Sequence, residues 1–182
     1  GDESGDDRYV KVNDSKEVYT ITKDSLTKIL DSTMSDFYNL TVSYVSVNDL
    51  DSLEVQSTDG DHTVTVVRET AKAEDDSKET TTTSYKLDGE DLDESTFTTF
   101  YNKLINMMAQ KRLTEEYTPE GDPEYTFIFK DTDGKETTVK YYEYDTNFYA
   151  AVVEDKVYLV NKMNVKELDE AYQKVVNPDT EK

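Results

Sequence analysis

The stretch Tyr125–Asn161, YTFIFKDTDGKETTVKYYEYDTNFYAAVVEDKVYLVN, decides the fold class. Tyr125, Phe127 and Phe129 recur at every second position, which is the period of a strand with one buried face. Asp133-Gly134 supplies a tight turn, and Val139–Tyr144, Phe148–Val153 and Val157–Val160 follow in quick succession. Both parities of Phe148–Val153 are apolar, so this strand should lie centrally with both faces covered. Four strands joined by short turns predict an antiparallel meander.

Helical spacing takes over beyond it, where Val165, Leu168, Tyr172 and Val175 share one face up to Asn177-Pro178. Upstream, Pro119, Gly121 and Pro123 mark a break. A helix is expected from Ser95 to Lys111, with Phe97, Phe100, Tyr101, Leu104 and Met108 as its buried stripe. Before that helix, Thr81, Thr83, Tyr85 and Leu87 alternate as a strand, and Leu53/Val55 and Val64/Val66 form a pair around Asp59-Gly60. Leu40–Val47 reads as a further strand, with Val42 and Tyr44 opposing Val45 and Val47 across a pleat. Glu69–Thr80 is polar without periodicity and reads as a long hairpin loop, and Asp88–Glu94 reads as a solvated acidic loop. A strand Glu17–Ile21 leads into a first helix capped by Thr22 or Asp24, on Leu26, Ile29, Leu30, Met34 and Phe37. Helices and antiparallel strands segregated in runs give an α+β fold with about three helices. The expected organisation is a disordered acidic linker over 1–16, a helix–meander–helix subdomain over 17–113, and a four-stranded meander with a C-terminal helix over 114–178, packed with the preceding part as one unit.

Two segments echo each other. In VYTITKDSLTKIL and VYLVNKMNVKELD, Val18 falls on Val157, Tyr19 on Tyr158 and Lys23 on Lys162, while Leu26 and Ile29 fall on Val165 and Leu168. The period changes from strand to helix at the same place, which reads as a repeated strand–helix–meander unit, the chain holding the tail of one copy and one complete following copy.

Composition excludes several functions. Forty-one Asp and Glu against 20 Lys and Arg give a net charge of -21, which repels nucleic acid and anionic lipid headgroups. Fourteen Tyr and 6 Phe separate the chain from aromatic-poor disordered sequences. Without cysteine there are no disulfides, thiolate metal sites or thiol nucleophiles. No apolar run reaches the length of a membrane helix. The chain starts GDESGDD without an initiator Met, which reads as a stretch following a removed anchor.

No motif carries chemistry. Asp131, Asp133, Gly134 and Glu136 resemble a calcium loop in composition, but the glycine stands two positions too early for an EF-hand, and a hairpin turn accounts for the same residues. His62 is the only histidine, and no G-x-S-x-G elbow accompanies it. Catalytic residues, metal ligands and cofactors are therefore not assigned. The densest feature is aromatic: Tyr141, Tyr142, Tyr144, Phe148 and Tyr149 lie within nine residues. Tyr142, Tyr144 and Tyr149 are the candidate binding residues, with Tyr142 and Tyr144 sharing a face with Lys140. A carbohydrate-binding or carbohydrate-cleaving role would use these tyrosines with nearby carboxylates.

The VYLV strand and helix, the meander, SYKLDGEDLDESTFTTFYNKLINMMAQKRL and FIFKDTDGKETTVKYYEYDTNFYAAVVEDKVYLVN together resemble the domain of unknown function 4340. Tyr85, where that family commonly carries Trp, and Tyr142–Asp145, where it has a Gly-containing turn, depart from the pattern. The resemblance implies an extracytoplasmic, cell-envelope domain of bacteria behind an N-terminal membrane anchor. It also implies an ABC transporter or gliding-motility component as partner, and with no motif that carries chemistry the expected role is a non-enzymatic interaction or scaffolding one. It carries over no site residue.

Overall fold

The computed structural model describes residues 2–30, 32–72 and 79–178. They form two compact units, 1–39 and 40–182, and the residues on both sides of the 113/114 boundary read from the sequence lie together in the larger one.

The larger unit is built on one antiparallel sheet. Its strands are β4 (Leu50–Ser57), β5 (Gly60–Lys72), β6 (Glu79–Leu87), β7 (Glu90–Leu92), β8 (Lys111–Arg112), β9 (Tyr125–Asp131), β10 (Glu136–Glu143), β11 (Phe148–Val153) and β12 (Lys156–Asn161), in the order β7-β6-β5-β4-β9-β10-β11-β12-β8. The two meanders predicted from alternation are joined edge to edge by β4 and β9, where Leu53 stands opposite Phe129 and Val55 opposite Phe127. The helices α2 (Glu94–Ile105) and α3 (Lys162–Val176) cover one face. Phe97 stacks toward Tyr85, Tyr101 toward Phe129, and Phe100 toward Phe127 and Tyr172, with ring centroids 4.5–6.5 Å apart. These rings, with Leu53, Val64, Val139 and Leu168, form a single core. Burying each such side chain contributes about 1.5–3 kcal/mol. The β11 strand is covered on both faces as expected, with Ala150 and Ala151 both fully buried.

Several elements differ from expectation. Leu40–Val47 is no pleated strand: Thr41 makes one bridge to Met108, Val42 is buried, and Tyr44 is exposed. Two of its carbonyls are taken by side chains, since Tyr101 Oη donates to Val45 O (2.8 Å) and Arg68 Nη2 donates to Val47 O and, just beyond it, to Asn48 and Leu50 O (2.8–3.1 Å). Helix α2 stops at Ile105, before the predicted Lys111. Asn106 caps it by donating from Nδ2 to Asn102 O, and the chain then runs extended, with Ala109 N bonding Leu40 O and Gln110 N bonding Leu159 O. That switch buries Met107 and exposes Met108, the residue assigned to the helix stripe. Glu69–Lys72 and Glu79–Thr80 belong to β5 and β6, paired from Glu69↔Thr82 to Lys72↔Glu79, rather than to the expected loop, whose remaining residues 73–78 lie outside the described residues. The acidic Asp88–Glu94 stretch is a hairpin plus a cap. Asp88 and Gly89 both take positive φ in the turn between β6 and β7, as a two-residue turn of this hand requires, and Asp93 accepts from Thr96 N at the start of α2.

The smaller unit holds β1 (Glu3–Ser4), β2 (Asp7–Val10), β3 (Tyr19–Thr22) and α1 (Lys23–Leu30). Residues 1–16, expected as a disordered linker, therefore carry two of three strands in a sheet ordered β1-β2-β3. After α1, Met34–Phe37 forms one 3-10 turn with both Met34 and Phe37 exposed, so neither continues the helix stripe. The side chains of Ile29 and Leu30 lie outside the described residues.

The sequence echo has a structural counterpart. The pairs Arg8↔Ile21, Tyr9↔Thr20 and Val10↔Tyr19 between β2 and β3 reproduce Tyr149↔Val160, Ala150↔Leu159 and Ala151↔Tyr158 between β11 and β12. One strand further out, Glu3↔Arg8 reproduces Glu143↔Tyr149. Both helices start on the aligned lysine, whose N–H bonds Asp6 O in one unit (2.9 Å) and Asn147 O in the other (2.8 Å). The Lys23 ammonium then pairs with Glu3 at 3.0 Å, and that of Lys162 with Glu143 at 2.8 Å.

Candidate functional site

The three candidate tyrosines do not share one surface. In β10 and β11, strand parity puts Tyr149 with Glu143 and Tyr141 on the helix-covered face, and Tyr142 with Ala150 on the opposite one. Tyr149 is buried, Tyr142 is half-buried, and Tyr144 is 41% exposed. A sugar platform made of all three is therefore not present.

Tyr149 lines a pocket of about 290 Å³ at the margin of the larger unit, with Glu124, Tyr125, Lys162, Val165, Lys166 and Asp169. Each wall comes from a fixed element. Glu124 enters β9 with its N–H on Tyr141 O (2.8 Å), and Val165, Lys166 and Asp169 project from one side of α3, whose N-terminus is capped by Asn161. Tyr149 Oη donates to Glu124 Oε2 at 2.5 Å, and Tyr125 Oη donates to Asp169 Oδ1 at 2.8 Å. Burial, followed by these carboxylate partners, pushes both phenols above the ordinary tyrosine range. They stay protonated at neutral pH and act as donors. The Lys162 ammonium lies 5.1 Å from the Tyr149 ring centroid while bonded to Glu143. The two carboxylates and two phenols thus largely satisfy one another, an arrangement that locks the β9–α3 corner.

On the opposite face Tyr144 packs against Tyr117, with centroids 5.6 Å apart. Tyr117 belongs to the connection from β8 to β9, tied at one end by Leu113 N on Val157 O and at the other by Glu124 N on Tyr141 O. This connection must pass β12, β11 and β10, which brings Tyr117 and Tyr144 together. Sequence reading found Tyr144 but missed Tyr117, whose partner is distant in the chain.

His62 sits at the far end of α3. Its Nδ1 lies 2.7 Å from Asp88 Oδ2, while Asp88 Oδ1 accepts Thr63 N–H at 2.8 Å. That backbone bond, followed by the His62 contact, holds the Asp88 carboxyl below its usual range. The His62 ring stands edge-on to Tyr172 at 6.4 Å. Among the described residues no serine or threonine hydroxyl bonds the ring, so a histidine–carboxylate pair exists here without a nucleophile. The DTDG turn is a hairpin: Asp131 Oδ1 accepts the N–H groups of Asp133 (3.0 Å) and Lys135 (2.8 Å). Among the described residues no group of three or more His, Asp or Glu side chains is placed to hold a metal ion.

A shallow depression of about 370 Å³ between the end of α2 and the start of α3 is lined by Asn102, Asn106, Asn164 and the exposed Met108, and closed by Lys103 paired with Glu167 at 3.2 Å.

Comparison with curated proteins and with solved structures gives no match. A family model described as "Domain of unknown function (DUF4340)" matches residues 1–127, more than half of the chain. The match takes in the smaller unit and runs through α2 into β9. The chain belongs to the DUF4340 family.

Proposed function

We propose that this chain is a non-enzymatic interaction or scaffolding domain of a membrane-anchored, extracytoplasmic protein of the bacterial envelope, auxiliary to an ABC transporter. The observation that carries the interaction reading is the sheet face opposite the helices, where Tyr144 is 41% exposed and braced by Tyr117, with half-buried Tyr142 on the same face. Aromatic side chains held on a rigid sheet present contact area at little entropic cost, which suits recognition of a protein surface. The acid excess discourages nonspecific contacts with anionic polymers. Envelope location, anchor and transporter partner are supported by the family resemblance drawn from the sequence.

The test places a photo-crosslinking residue at position 144 of the anchored protein in native membranes, with a control at exposed Lys166 on α3. Recovery of a transporter subunit from 144 and not from 166 is expected. Combined Tyr144→Ala and Tyr117→Ala should lower co-purification of that subunit by about tenfold. Absence of any transporter subunit at both positions overturns the proposal.

A further inference from the structure

The smaller unit repeats the last four elements of the larger one, yet it lacks their covering. In the larger unit residues 94–131 cover β10–β11–β12–α3 on its helix and on both strand edges: α2 packs against α3, β8 pairs with the free edge of β12, and β9 pairs with the free edge of β10. The counterparts β1–β2–β3–α1 have none of these partners among the described residues. Tyr9 and Tyr19 are 43% and 50% exposed, whereas the residues at their places, Ala150 and Tyr158, are 0% and 5% exposed. Thr20, on the outer edge strand, is exposed where Leu159 is buried. A two-sided ribbon that leaves tyrosine rings exposed beside open strand edges is the form an element takes when the rest of its core is elsewhere.

We propose that the smaller unit is the closing part of a second copy of this fold, and that its bare surfaces receive an upstream stretch of the same polypeptide carrying the counterparts of residues 94–131. The larger unit shows what must cover each face: a helix on α1, a short strand on the Tyr19–Thr22 edge, and a longer strand on the Glu3–Ser4 edge. Charge narrows the fit. Arg8 occupies the place of Tyr149, the residue to which Glu124 is delivered by the start of β9. An acidic residue at the same point of the incoming strand meets a guanidinium, which is partly engaged by Glu3 at 3.2 Å and keeps further donors free for it. The family match takes in the smaller unit from residue 1 and ends in β9 of the larger one, so the smaller unit belongs to the family pattern.

The chain contains no cysteine, so a single introduced thiol reports on one position. Tyr19→Cys and, separately, Thr20→Cys are made in the present chain and in a chain extended upstream through its coding sequence by a segment as long as residues 40–135. Thr99→Cys on the exposed side of α2 serves as control. Thiol labelling at positions 19 and 20 should slow by at least about tenfold in the extended chain, with position 99 unchanged. Equal labelling in the two chains overturns the proposal. So does slow labelling already in the 182-residue chain, which would mean the face is covered from within it, and so does a coding sequence too short to supply the segment.

Discussion

The ribbon β2–β3 with α1 and the ribbon β11–β12 with α3 have the same register, the same lysine at the helix start and the same lysine–glutamate pair, but opposite surroundings. In the larger unit the inner positions Ala151, Tyr158 and Val160 and the outer positions Ala150 and Leu159 are all buried. In the smaller unit Val10 and Ile21 are half-buried, and Tyr9, Tyr19 and Thr20 are exposed. Local rules, meaning strand pairing, turn chemistry and helix entry, suffice to set the shape of both copies. Burial is set by elements far away in sequence. Because burial rather than local geometry supplies most of the stability, two segments of matching shape should differ sharply in how firmly they hold.

The largest effect that can break this comparison is truncation of a core ring. Phe127 is 1% exposed against Phe100 and Tyr141, so Phe127→Ala should cost the larger unit about 3–5 kcal/mol. Leu26→Ala, on half-buried α1, should cost about 1 kcal/mol or less. Urea melts followed by far-ultraviolet dichroism check both, and equal costs would show that the two units share one core. An intermediate effect sharpens the comparison at the position that differs in kind. Tyr149→Phe removes the donor to Glu124 but keeps the ring, and should cost about 1 kcal/mol in the same melt. The smallest effect concerns the shared ion pair. The bond and charge of Lys23, with a smaller pull from Arg8, hold the Glu3 carboxyl below its usual range. A folded-state pKa below the unfolded one means that this pairing helps at pH values above the ordinary carboxylate range and is lost as pH falls through the depressed value. The Glu3 carboxyl carbon should titrate by NMR at lower pH than an unpaired glutamate, and Lys23→Met should move its midpoint upward. A midpoint unmoved by that substitution would show that the pair does not form in solution.

How much of this was legible depended on whether apolar periodicity and burial coincide. They do in β9–β12, in the Leu53/Val55 and Val64/Val66 pair, and in α2 and α3, where each stripe residue from Phe97 to Leu104 and from Val165 to Val175 is buried. They part at Leu40–Val47, whose alternation suits a strand but whose Val45 and Val47 carbonyls are taken by Tyr101 and Arg68, residues that no local pattern could nominate. The end of α2 was hidden for a similar reason, since Met107–Leu113 is drawn out by bonds to Leu40 and β12. At the candidate site, the aromatic density near Tyr142 marked a real feature, but parity across a hairpin separated Tyr149 from Tyr142. Tyr117 became visible only once the connection from β8 to β9 was traced.

The long β5–β6 pair extends well past its neighbours. β4 matches β5 only from Gly60 to Thr65, β7 matches β6 only from Tyr85 to Leu87, and Arg68 is the last residue tied to the body, so Glu69–Thr70–Ala71 and Thr80–Thr82 continue as an exposed two-stranded arm made mostly of threonines. Its opening uncovers almost no apolar surface, and apolar surface is what gives unfolding its heat-capacity increment and its sensitivity to urea. In a calorimeter or a denaturant titration the arm should come apart without a peak or a midpoint of its own, appearing as a slope in the native baseline.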